Sequence, residues 1–407
     1  MNKRGFYYSL MTILLLAPII TLTVTYSLST GDVSQSISSS LRRDSAFFFL
    51  QSVEKDIHRS MEIIGQRSLT AAVNYVIDTG EGLDSADERI KELFENGTVN
   101  GNPSGIMTNS TMRDWLERME RIGEDRGFFL DIELRNTNVS LEDNFLVGFD
   151  MGYSIRIEDI KGDFSFTKEM NDSVTVSIIG LEDPSYTLNT NGRVSIKFKD
   201  SPFNNFTSLL ATGTGNNSWT SGISFIASSS EASTIPDKAS TILVTDDMAA
   251  VPNPEEFAGI IAESNPLVGF TKPYIINSSA MSLIPNNTRI VLDADSGEVW
   301  SIQNLHETWS NQYYVDGNGP SFFDRLENSL TNSRPGMGLD VFVRKDILAD
   351  YGLFVKLSRS NVDHIYFNTD PVNNYRVKGM PSSFRIDNET CASLSHVEMF
   401  GVERLIY

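Results

Sequence analysis

One cysteine, Cys391, stands in 407 residues, so no disulfide can close within the chain and no cysteine-rich zinc module or CxxC redox pair can be built. Basic runs are equally scarce. Beyond the pairs Lys3-Arg4, Arg42-Arg43 and Arg344-Lys345 none occurs, and the formal charge is -20. A phosphate-binding surface needs clustered Lys and Arg, so this balance argues against nucleic acid as a partner and for a soluble acidic surface. The four histidines, His58, His306, His364 and His396, fall in no HExxH and at no paired ligand spacing, so no metal site is expected. Neither a G-x-S-x-G nucleophile elbow nor a GxxxxGK[ST] phosphate loop is present. Asp293-x-Asp295-x-Gly297 begins like a calcium loop, but its twelfth position is Asn304 rather than glutamate, and a tight turn accounts for it better. Asp316-Gly317-Asn318-Gly319 reads as another turn, and Glu182-Asp183-Pro184 as a turn leaving a strand. Nothing here calls for a cofactor, and no enzyme is expected.

Charge is also missing between Arg4 and Asp32. Within that gap Phe6 to Leu28 would span about 34 Å as a helix, enough for a bilayer core, with no charged side chain to oppose insertion. The expectation is a basic head and transmembrane anchor over 1–28, with the lipid bilayer as its partner. Lys3 and Arg4 beside the apolar run favour a cytoplasmic N-terminus. Asn-x-Ser/Thr glycosylation acceptors stand at Asn96, Asn109, Asn138, Asn171, Asn205, Asn216, Asn277, Asn286 and Asn388, all beyond the anchor. Together these features put the C-terminal bulk outside a cell membrane. The rival is a cleaved secretory signal ending after Ser29, which would release a soluble product.

The opening Lys-Arg-Gly-Phe-Tyr-Tyr-Ser-Leu-Met-Thr, Lys3 to Thr12, resembles the class III signal of archaeal type IV pilin-like proteins. In that family a short basic head ends in glycine, and the peptidase cuts before the hydrophobic helix. The resemblance implies a cut between Gly5 and Phe6, retention of the helix, and other pilin-like subunits as partners through it. It covers roughly the first 80 residues. Where bacterial pilins place a glutamate at the fifth residue after the cut, this chain has Leu10, which points toward a minor or pseudopilin-type component.

Beyond Asp32, apolar residues follow helical spacing from Val33 through Leu50, Ile57 and Ile64 to Val76, with Lys55, Arg59, Glu62 and Gln66 on the opposite face. This predicts a long amphipathic stalk over 29–80, closed by Asp78-Thr79-Gly80. Phe47, Phe48, Phe49 and Leu50 are apolar on every side of that helix. Either the chain's own outer part wraps this turn, or a neighbouring subunit does.

After the stalk, helices are predicted near 85–97 and 111–127. Alternating strands follow at 154–157, 174–179 and 194–198, the pattern of a half-buried antiparallel sheet. These form a unit over 81–206. A Ser/Thr/Gly-rich linker and strand occupy 207–250, and a mixed α+β region 251–407, with a helix expected from Asn253 through Ile261 and a strand over 364–367. The fold class is therefore α+β: a transmembrane helix continuing into a long amphipathic helix, then an antiparallel β-rich extracellular domain with short helices. The function read from this is a membrane-anchored surface protein, structural or adhesive, of pilin-like or minor-pilin type. The alternative is an anchored or secreted extracellular hydrolase. A signalling receptor ranks last, because this topology leaves almost nothing inside the cell.

Overall fold

The computed structural model describes residues 3–162, 164–203, 225–228, 238, 241–245, 253, 256, 259–262, 289–290, 301–370, 372–377, 380–388, 395–402 and 406–407. Side chains of 3–10, 12–13, 15, 27–39, 301–304 and the strands between 225 and 290 are outside that description.

A single helix, α1 (Lys3–Thr79), runs unbroken for 77 residues, about 115 Å. Gly31 and Asp32 do not divide it. One helical glycine costs only about 1 kcal/mol against alanine, which the residues around it absorb. The helix stops where expected, with Gly80 in the left-handed region (φ +72°) and its N–H donating to the Val76 carbonyl at 3.0 Å.

The transmembrane segment expected over 6–28 is corrected. Among the described residues, no helix is long and apolar enough to cross a membrane. The described side chains of that stretch, at 11, 14 and 16–26, include Pro18 and three threonines. The hydroxyls of Thr21, Thr23 and Thr25 donate to carbonyls one turn back, at 2.8, 2.8 and 2.6 Å.

From Ala46 onward α1 enters the core. Phe49, Leu50, Val53, Ile57, Met61, Leu69, Ala72 and Val76 are buried at steps of mostly three and four residues. This face lies on an antiparallel meander of three strands in the order β3-β4-β5, numbered after the two-residue pair β1 (Thr98–Val99) and β2 (Asn102–Pro103). The strands are β3 (Phe128–Asp143), β4 (Leu146–Asp159) and β5 (Ser165–Ser177). β3 alternates buried and exposed residues through Glu133, while the central β4 is buried nearly throughout. Gly65 lets the helix approach closely, since a Cβ there would stand 3.0 Å from both Phe149 and Val176.

Two helices complete this layer. α2 (Ala86–Asn96) ends on Gly97 at φ +71°. α3 (Met112–Asp125) starts from a reciprocal capping box between Thr111 and Asp114.

A second set of short elements closes over the other end of α1. It comprises α4 (Pro184–Asn189), α5 (Ser301–Asn311), β10 (Val315–Gly317), α6 (Phe322–Leu326), β11 (Gly338–Asp340), α7 (Lys345–Asp350), α8 (Asp363–Phe367), β12 (Asn374–Tyr375), β13 (Ile386–Asp387) and α9 (His396–Met399). Tyr314, Phe322, Phe323, Leu326 and Leu339 from this set share one apolar core with α1 and the meander.

Between the two sets the sequence reading misses a sheet. β6 (Phe225–Ser228), β7 (Thr241–Thr245), β8 (Gly259–Ala262) and β9 (Arg289–Ile290) are all parallel, in the order β8-β7-β6-β9. The helix expected through Ile261 is thus a strand from Gly259, its Gly-Ile-Ile-Ala sequence showing the continuous apolar run usual in parallel strands. The strand expected over 364–367 is helix α8, where four consecutive buried residues have no alternation to give a strand face.

Candidate functional site

The expected site residues are scattered. Lys3, Arg4, Gly5 and Phe6 form the first turns of α1, and their side chains are outside the description. Of the glycosylation acceptors, Asn96, Asn109, Asn138, Asn171 and Asn388 are exposed, while Asn205, Asn216, Asn277 and Asn286 lie outside the described residues. So do Cys391 and the Asp293–Gly297 turn. The Phe47–Leu50 turn splits in two. Phe49 and Leu50 are buried, Phe49 stacking on Phe128 at 6.1 Å with the Arg126 guanidinium 4.8 Å from its ring. Phe47 and Phe48 are 56% and 68% exposed. Beside Phe47, residues Ala46, Leu50, Ile157, Phe164 and Phe166 line an open apolar groove of about 410 Å³.

The densest chemistry lies elsewhere, in a buried cluster that sequence spacing does not reveal. Arg325, on α6, is completely buried. Its Nη1 meets Asp183 Oδ2 and Asp363 Oδ2, each at 2.7 Å, and its Nη2 and Nε donate to the carbonyls of Leu339 (2.6 Å) and Pro320 (3.2 Å). Asp183 caps α4 by accepting from the Ser185 N–H at 3.0 Å, and it also accepts from the Tyr314 hydroxyl at 2.7 Å. Glu182-Asp183-Pro184 is therefore the start of a helix, and Asp183 is committed to an internal ion pair. Burial alone would lower the Arg325 pKa, but the two carboxylates more than reverse it and keep the guanidinium charged.

Beyond Asp363 the cluster continues through His364, Asp340, His396 and Asp387, all buried. His364 Nδ1 stands 3.2 Å from Asp340 Oδ1 and 3.5 Å from Asp363 Oδ1. His396 Nε2 stands 3.4 Å from Asp340 Oδ2, and its Nδ1 is 2.6 Å from Asp387 Oδ2. Asp387 in turn accepts from the Ser360 hydroxyl at 2.6 Å. Asp316-Gly317-Asn318-Gly319 is more than a turn, because it cradles the Asp340 carboxylate. The Asn318 N–H donates to Oδ2 at 3.1 Å, and a Cβ on Gly317 or Gly319 would stand 1.7 Å or 2.5 Å from the carboxylate oxygens. Burial pushes the Asp340 carboxyl up, but His396 and His364 beside it hold it well below the usual carboxylate range. Burial pulls His396 down, and Asp340 and Asp387 push it back up to about 9.

Charge does not balance here without the imidazoles. Four buried carboxylates, Asp183, Asp340, Asp363 and Asp387, face one permanent cation, Arg325. Uncompensated buried charge is expensive, so positive charge must be supplied at His364 and His396 or between them. The chemistry this arrangement can perform is the holding of a cation within a closed polar core.

No family model, curated protein or solved structure matches this chain.

Proposed function

We propose that this protein is a pilin-like structural component of an extracytoplasmic assembly, built by lateral packing of α1 against α1 of neighbouring copies. The observation that carries the reading is the bare apolar surface of that helix. Met11, Leu14, Leu16, Ile19, Ile20 and Leu22 are all exposed. Farther along the same helix so are Leu41, Phe47 and Phe48, until the chain's own meander takes over at Phe49. So many exposed large apolar side chains on one element are rare in monomers. A helix embedded in its own domain at one end and carrying exposed apolar side chains at its described positions nearer the other suits a spine that gathers copies of itself. The Lys3 to Thr12 resemblance points the same way, and the exposure of all five described acceptor asparagines suits an extracytoplasmic setting.

The test is Phe48→Asp in the full chain. Because the Phe48 ring is exposed in the single chain, the substitution should leave the thermal unfolding midpoint of the domain unchanged while abolishing oligomers seen by analytical ultracentrifugation after detergent removal. A wild type that stays monomeric at high concentration overturns the proposal. So does a variant that still assembles.

A further inference from the structure

We propose that Asp340, His364 and His396 form a binding site for one divalent transition-metal ion, with zinc the ion that the ligand set favours, acting as a structural centre beneath the surface. One ligand atom from each of the three residues lies within 4.8 Å of the others. A tetrahedral zinc with bonds of about 2.0 to 2.1 Å sets its ligands roughly 3.3 Å apart. His364 Nδ1 stands 3.2 Å from Asp340 Oδ1, and His396 Nε2 3.4 Å from Oδ2 of the same carboxylate. The two imidazoles thus already converge on the Asp340 carboxylate at close to the edge length of such a polyhedron, one carboxylate oxygen facing each ring.

Three further observations agree. Asp340 Oδ1, Asp363 Oδ1 and His396 Nε2 are buried and make no well-aligned hydrogen bond among the described residues, their polar neighbours being other members of this cluster at 3.2 to 3.5 Å. Buried polar atoms are nearly always satisfied, and these, facing one another, form a donor set that one shared cation would satisfy. Second, the imidazole of His396 that offers Nε2 to the site has its other nitrogen held by Asp387, itself held by Ser360. That carboxylate–histidine relay is how proteins fix the tautomer and aim of a metal-bound histidine. Third, a dication would offset the excess of buried carboxylates around Arg325.

Two imidazoles with one carboxylate suit zinc and its first-row neighbours and not calcium or magnesium, which take oxygen ligands. Closure from solvent suits a structural ion, since all three residues are at most 3% exposed. Asp363 Oδ1, 3.5 Å from His364 Nδ1, is the candidate fourth ligand atom bordering the site.

The experiment uses the full chain, stripped with a chelator and titrated with Zn²⁺ alone and with Co²⁺ alone. One equivalent of each should bind, cobalt should give the intense visible bands of a four-coordinate ion, and zinc should raise the unfolding midpoint. Histidine NMR needs no variant. Of the four histidines, zinc should shift two imidazoles and leave exposed His58 and half-buried His306 unmoved. Asp387→Asn, which keeps the side-chain volume and removes the charge behind His396, should weaken zinc about 10- to 100-fold. His396→Gln should abolish the stoichiometric step, with circular dichroism checking that the variant is folded. The proposal is overturned if the stripped wild type binds neither ion saturably, if the shifted histidine is His58, or if zinc affinity is unchanged in Asp387→Asn.

Discussion

At Asp340 the side chain is shaped by what its neighbours lack. Gly317 and Gly319 leave room for its carboxylate, and a methyl group at Gly317 would overlap Oδ2 at 1.7 Å. Neither glycine is required by a positive φ, so the constraint is space alone. Gly317→Ala should therefore cost about 1–3 kcal/mol, the usual penalty for overpacking. Gly105→Ala, with nothing within 4 Å of its Cβ, should stay within about 0.5 kcal/mol of the parent. Urea denaturation of both variants checks this, and equal losses would show that the cradle is not tight. The same residues explain why the cluster was hidden in the sequence. Its members are brought together from α4, α6, β11, α8, β13 and α9, at separations no local motif encodes. The glycine pair around Asn318 carried the only local trace, and a turn explains that pattern equally well.

At the scale of elements, α1 is the clearest case of what periodicity can and cannot reveal. Its three- and four-residue steps and its stop at Gly80 were readable, because they follow from helical geometry and from one residue suited to the left-handed region. How far its apolar surface is covered was not readable, because a helix hydrophobic all round has no face to point. The structure divides Phe47 and Phe48 from Phe49 and Leu50. Phe49→Ala should cost about 3–5 kcal/mol through the lost transfer energy and the cavity left against Phe128. Phe47→Ala, from a ring more than half exposed, should cost under about 1 kcal/mol in the isolated chain. Chemical denaturation at low protein concentration separates the two. Comparable losses would mean that Phe47 is covered within a single chain. Among the strands, 154–157 within β4 and the end of β5 were legible; the strand expected over 194–198 is instead chain held by a single bridge from Lys197 to Glu182, and the parallel strands were missed. Short apolar runs such as Gly259–Ala262 carry no alternation, and a preceding Asn-Pro-Glu-Glu looks like a helix start.

Across the whole molecule, two layers meet on one helix, and the chain between them is long. Asp183 and Arg325 are separated by 142 positions, with the parallel sheet of β6 to β9 lying between them in sequence. Their contact has a consequence for the order in which the protein folds. While the connecting chain is open, both charges are hydrated, and neither gains by approaching the other through water. Helix α1, its meander and the local hairpin contacts close far shorter loops and can form first. The ion pair becomes favourable only once the surrounding core has expelled water, so it belongs to the last stage of assembly. Asp183→Asn should then accelerate unfolding and leave the refolding rate nearly unchanged, a φ-value near zero in stopped-flow measurements. A refolding rate reduced in proportion to the lost stability would place the pair in the nucleus instead. A contact formed last on folding is made and broken on the native side of the barrier. The buried Arg325 therefore acts as a latch, setting how long the finished molecule persists rather than how quickly it is made.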